Sequence, residues 1–195
     1  MIKPNYSLKA FASISLAIVL VSCGGNGDEK KTEVVKTDTV VVNNGNCSSF
    51  YRDAKSLDST LMKETTVKKD LAERAINAFN TYASECMNDS LAPIFLLKAG
   101  QVAQSIANYK QAEVLLRKCT TAFPNFRNRG AALFLLAQLF DESTMLNNEA
   151  EAKTIYEDII KSYPSTAWAR DAKASIANLG KTDEQLIQEF LKKNK

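Results

Sequence analysis

Residues 130–165 read GAALFLLAQLFDESTMLNNEAEAKTIYEDIIKSYPS, and residues 92–125 read APIFLLKAGQVAQSIANYKQAEVLLRKCTTAFPN. In the first stretch Leu133, Leu136-Ala137 and Phe140 recur at three to four residues, and so do Ala152, Ile155-Tyr156 and Ile159. That spacing lines one face of each of two α-helices. In the second stretch Leu96, Ala99-Gly100, Ala103 and Ile106 form one set, and Ala112, Leu115-Leu116 and Cys119 the next. Pro124 and Pro164 stand 40 residues apart, and each follows an alanine by twelve, Ala112 and Ala152. A proline there stops the helix, because it has no N–H to give the ladder.

The same period runs outward in both directions. Phe50, Ala54, Leu57 and Leu61 form a first set, and Leu71, Ala75, Ala78-Phe79 and Tyr82 a second. Trp168, Ala172, Ile176 and Leu179, then Leu186-Ile187, Phe190 and Leu191, close the series. Ser90 ahead of Pro93 marks a helix start, Gly180 a helix end, and Thr182-x-x-Gln185 a capping box. No segment after Cys47 alternates with period two. The spacing predicts an all-α chain of about eight helices.

The two quoted stretches resemble tetratricopeptide repeats. Leu96, Ala99-Gly100, Ala103, Ala112, Leu116, Cys119 and Pro124 fall on the signature places of that family. Leu133, Leu136-Ala137, Phe140, Ala152, Tyr156, Ile159 and Pro164 do so again, with about three extra residues in the turn 143–148. A degenerate copy without the closing proline precedes them, and a final helix pair is expected to close the stack. The resemblance implies a solenoid of helical hairpins, organised as hairpin 47–88, repeats 89–127 and 128–165, and closing pair 166–195. Alanine at 112 and 152 and glycine at 100 suit places where two helices cross closest. Trp168 is expected to anchor the closing pair.

The N-terminal residues carry a different pattern. Lys3 and Lys9 precede a 12-residue apolar run, Ala10–Val21, too short to span a bilayer. Leu20-Val21-Ser22-Cys23 then resembles the lipobox of bacterial lipoproteins. The resemblance implies that residues 1–22 are a signal peptide, and that Cys23 carries a diacylglycerol and a fatty acyl group. Residues 23–46, rich in Gly, Asn and Thr, then read as a flexible tether. Gly24, rather than Asp, implies the outer membrane by the sorting rule of enteric lipoproteins; Asp28-Glu29 loosely resembles the surface-export signals of some lipoproteins but sits several residues late, so a periplasm-facing domain is favoured over surface display and the orientation stays open. Within this class the layout is similar to the outer-membrane assembly lipoproteins of the β-barrel machinery, although the chain is shorter.

Composition narrows the chemistry. The 195 residues include no histidine, which excludes Ser-His-Asp triads, Cys-His pairs and His-ligated zinc. Only 7 glycines argue against glycine-rich phosphate loops. Removing Lys3 and Lys9 from the 25 basic residues leaves 23 against 22 acidic, with no basic block for nucleic acid. No catalytic set, metal site or cofactor is expected beyond the acyl groups on Cys23. Asp141-Glu142 and Glu149/Glu151 read as solvated faces, and Lys68-Lys69, Arg127/Arg129 and Lys192-Lys193 as surface charge. Of Cys47, Cys86 and Cys119, the third sits at a core place, and Cys47–Cys86 is the favoured pair if a disulfide forms in an oxidising envelope.

The first helix of each repeat lines the groove in this family, and the contacting places here carry Leu97, Gln101 and Gln104, then Phe134, Gln138 and Asp141. Some relatives grip a peptide carboxylate with lysine at the first place, which Leu97 and Phe134 do not allow. An apolar, amide-lined groove suits an extended or helical peptide segment instead. The alternative is that these side chains pack between repeats. The functional expectation is a non-catalytic, membrane-anchored scaffold for another envelope protein or peptide, with no nucleic acid and an open oligomeric state. A second expectation is an accessory subunit that binds glycan or peptidoglycan beside an envelope enzyme.

Overall fold

In a computed structural model, residues 45–193 are described. They form eight α-helices and no strand: α1 (Gly45–Leu61), α2 (Lys69–Glu85), α3 (Ala92–Ser105), α4 (Tyr109–Ala122), α5 (Arg129–Asp141), α6 (Glu149–Ser162), α7 (Ala167–Asn178) and α8 (Asp183–Lys193). Successive helices pack as antiparallel hairpins from α1 to α7, and α5 also touches α7. This is an all-α helical-repeat fold, as the spacing predicts.

The second helices keep one register. α2, α4 and α6 begin 40 residues apart, at Lys69, Tyr109 and Glu149. Ala72, Ala112 and Ala152 are all fully buried. One turn on, Ile76, Leu116 and Tyr156 follow, then Phe79, Cys119 and Ile159, all at most 1% exposed. Their outer faces are charged, so each is amphipathic. α3 and α5 are apolar nearly all round, because each is covered by second helices on both sides. Gly100 on α3 shows how tight this is. A Cβ there would lie 2.7 Å from Leu116 Cγ and Cδ2 on α4.

The first hairpin therefore belongs to the same register, and this corrects the face expected for α2. The inward face of α2 is Ala72, Ala75, Ile76, Phe79 and Tyr82, whereas Leu71 and Ala78 are only half-buried. α2 also runs three residues longer than α4 and α6, since Ser84 stands where Pro124 and Pro164 stand, 40 residues on. What closes this hairpin is a disulfide between Cys47 and Cys86, with Cα atoms 5.8 Å apart. It pins the start of α1 to the end of α2.

Smaller corrections follow. α1 starts at Gly45, so two residues read as tether are helical; the remainder of the leader and tether, Cys23 included, lies outside the described residues. α3 does start just after Ser90, with Pro93 in its first turn, and Asp89 Oδ1 accepts from the N–H of Leu91 at 2.8 Å. Gly180 ends α7 as expected, at φ +72°, and the Thr182/Gln185 capping box forms in both directions. The closing pair does not form as expected. α7 packs on α6 and α5, whereas α8 makes no comparable packing with any helix. Trp168 accordingly anchors α7 to α5, against Phe134 and Gly130, rather than to α8.

Candidate functional site

The six expected groove residues all lie on α3 and α5, but the two helices use them differently. Leu97 and Phe134 are half-buried against the core. The Phe134 ring sits 5.5 Å from that of Tyr156 and 5.8 Å from that of Trp168, so it fills the space between α6 and α7. Asp141 accepts from the Tyr156 hydroxyl at 3.0 Å. Burial, helped by the Asp141 carboxylate, pushes the Tyr156 phenol well above its ordinary value, so it stays a donor. Gln104 donates toward Met145 Sδ, 3.7 Å away in the α5–α6 turn. Gln101 is exposed and Gln138 half-buried. Four of the six thus serve packing within or between repeats, and two remain at the surface.

An apolar recess lies elsewhere, at the edge where the repeats turn. A cleft of about 590 Å³ opens between the loop 86–91 and the loop 123–128. Met87, Pro93, Ile94, Phe123 and Phe126 give it an apolar floor. Asn88, Asn125, Arg127 and Asn128 stand exposed on its rim, and no hydrogen bond or ion pair among the described residues engages their side chains. Asn128, at the N-cap of α5, makes no side-chain cap bond. Sequence reading missed this cleft because its walls come from loops 37 residues apart, where Pro124 marks only the end of a helix and not an opening.

The corresponding junction one repeat later is filled. Arg129 donates from Nε to the carbonyl of Thr120 at 2.9 Å and from Nη1 to Tyr163 Oη at 3.2 Å, and pairs with Asp158 at 3.9 Å. It is a half-buried tie rather than the surface charge the sequence suggested. A Cβ on Gly130 would meet Trp168 Cδ1 at 3.1 Å, so the missing side chain is what lets the indole lie down.

The remaining candidates resolve as structure. Asp141, Glu142, Glu149 and Glu184 line a polar recess of about 550 Å³ together with Lys181, and Glu151 is held by Arg117 at 2.7 Å. No group of three or more Cys, Asp or Glu side chains among the described residues could hold a metal ion. Cys119 is buried, with Sγ 3.5 Å from the carbonyl of Pro93, and burial pushes its thiol up to about 12. At that value it is a small apolar filler and not a nucleophile. No described helix is long and apolar enough to cross a membrane.

Comparison with known proteins agrees with the fold. Residues 131–166, the α5–α6 hairpin, match the family model of the tetratricopeptide repeat. No curated protein matches the chain. Stacks of such repeats commonly work as surfaces that hold other proteins or peptides, and the matched hairpin is one such repeat, which suggests an interaction role.

Proposed function

We propose that this chain is a membrane-anchored, non-catalytic scaffold of the bacterial envelope, held to the outer membrane by acyl groups on Cys23. Its partner is an envelope protein that offers a peptide segment. The observation that carries the binding role is the open cleft beside Phe123, with an apolar floor and unengaged amides on its rim. An apolar side chain of the partner fits the floor, while Asn88, Asn125 and Asn128 can each give and accept one bond with its backbone. Gln101, on the exposed face of α3, extends this surface. The Cys47–Cys86 disulfide supports an oxidising compartment.

In-cell photocrosslinking tests it. A crosslinker at Asn125 is expected to capture one protein that a crosslinker at exposed Lys173 does not. Absence of any specific capture from Asn125, Gln101 and Gln138 sinks the scaffold reading. For the anchor, Cys23→Ala should release the protein from membranes and remove acyl label; unchanged retention rejects it.

A second reading has an observation of its own. Phe123 and Phe126 beside three asparagines and Arg127 also form a surface that sugar rings and hydroxyls could use. Cosedimentation with purified peptidoglycan, lost in Phe126→Ala, would favour this accessory role over a peptide partner.

A further inference from the structure

Among the described residues, sulfur occurs in Cys47, Cys86, Cys119, Met62, Met87 and Met145. Cys47 and Cys86 are bridged, and Cys119 is buried as a protonated thiol. Met145 is half-buried and accepts from Gln104 Nε2 at 3.7 Å. Met62 and Met87 remain, 80% and 53% exposed. No free thiol is exposed among the described residues, so an oxidant that reaches this domain meets these two thioethers first.

The two differ in what surrounds them. Met62 lies in the turn after α1 and is not part of the cleft. Met87 shares the apolar floor of the cleft with Pro93, Ile94, Phe123 and Phe126. Its backbone is held on both sides. The preceding Cys86 is bridged to α1, the Asp89 N–H donates to the Cys86 carbonyl at 2.9 Å, and Asp89 Oδ1 accepts from the Leu91 N–H at 2.8 Å. A change of polarity at Met87 is therefore felt in the cleft.

We propose that Met87 is an oxidation site that regulates the cleft, its sulfoxide form holding apolar side chains more weakly than its thioether form. The oxidant is a peroxide. The Sδ lone pair attacks one peroxide oxygen, and the S–O bond forms as the O–O bond breaks. The other oxygen leaves as water, taking the proton of the transferred one; sulfur loses two electrons and the peroxide gains them. The product is a polar acceptor in place of an adaptable apolar group. A partner side chain seated on the floor covers that oxygen without giving it a donor, which is costly. A rim amide that turns to satisfy it is lost to the partner's backbone. The regulation rests on the cleft being the place where the partner binds.

The full chain in mild detergent, treated with hydrogen peroxide and mapped by mass spectrometry, provides the test. An anilinonaphthalene sulfonate dye is the probe, and Phe126→Ala defines the part of its binding that belongs to the cleft. Met62 and Met87 should convert well before Met145. Cleft binding of the dye should weaken about tenfold as Met87 converts, in the parent and in Met62→Leu alike. Met87→Leu should keep its affinity under the same treatment, and photocrosslinked capture from Asn125 should fall in parallel with the dye. Three results overturn the proposal: Met87 converting no faster than Met145, dye affinity unchanged with Met87 fully converted, or Met87→Leu losing affinity as the parent does. No specific capture from Asn125, Gln101 and Gln138 before any oxidation is a separate result; it rejects the scaffold reading, and the regulation with it, however the dye behaves.

Discussion

The cleft beside Phe123 and the junction under Trp168 are the same place in two successive repeats. Both lie where the loop after a second helix meets the start of a first helix. Phe123 and Tyr163 stand 40 residues apart and both end a second helix. Their surroundings differ in three residues. The first turn of α7 brings Trp168, whereas the first turn of α5 offers Gly130, Ala131 and Ala132, none of which can reach across. Gly130 leaves room for the indole; its counterpart on α3, 37 residues earlier, is Pro93, which would not. Arg129 ties the later junction with two hydrogen bonds, and its counterpart Ala92 has nothing to donate. A repeat fold thus keeps the register of its core and varies its edges, and an opening appears wherever a large side chain is not supplied.

The comparison can be pressed experimentally. The largest effect should come from the wall of the open cleft. Cys86 immediately precedes Met87, so Cys47→Ser with Cys86→Ser frees the cleft-side loop and removes a crosslink spanning 39 residues. Chain entropy puts the cost at about 4 kcal/mol, read as a lower denaturation midpoint and faster amide exchange in residues 86–91. A midpoint within error of the parent would mean that the bridge constrains neither hairpin nor cleft. Trp168→Ala should come next. It unseals the later junction and costs about 2–3 kcal/mol, below the range for fully buried aromatics because Trp168 is 38% exposed. An apolar dye should then bind at two places rather than one; unaltered dye stoichiometry would show that the indole is not the seal.

Arg129→Met keeps the stem and removes the donors. It strands the Thr120 carbonyl and the Tyr163 hydroxyl, for a loss of about 1–3 kcal/mol. The paired control, Arg127→Met on the rim of the open cleft, should change stability by less than about 0.5 kcal/mol, because exposed Arg127 has no partner to lose. Equal effects of the two substitutions would erase the distinction. The smallest effect is expected from Gly130→Ala. Its Cβ would meet Trp168 Cδ1 at 3.1 Å, and the overpacking is partly offset by better helix propensity. A net change under about 1 kcal/mol should accompany a red shift in the emission of the single tryptophan. An unmoved spectrum would mean that the ring does not depend on the glycine.

Much of the fold was legible because second-helix packing repeats its demands. Alanine at 112 and 152 and proline at 124 and 164 are answers to the same steric question, so two copies suffice to read the period. On α2 the spacing places Ala75, Phe79 and Tyr82 on the inward face as found, but adds Leu71 and Ala78 in place of Ala72 and Ile76, because these look equally apolar and no proline fixes the helix end. The candidate site was much less legible. Phe134 and Asp141 occupy groove places, but whether they face a ligand or Trp168 and Tyr156 depends on side chains more than ten residues away. The cleft is defined by what Ala92, Pro93 and Ala131 fail to fill, and an absence leaves no periodicity to detect. The reading of Trp168 as an anchor of the closing helices names no neighbour for the same reason, since spacing tells that a residue is apolar but not which helix it meets.

The bridge at Cys47 also has a mechanical meaning. Cys47 is the third residue of α1, so a pull on the chain N-terminal to it would otherwise peel α1 away turn by turn, breaking a few contacts at a time. The covalent link passes that load directly to Cys86 at the far end of α2, bypassing the whole first hairpin. Force arriving from the N-terminal side therefore reaches the end of α2 and the loop 86–91 without first unwinding α1.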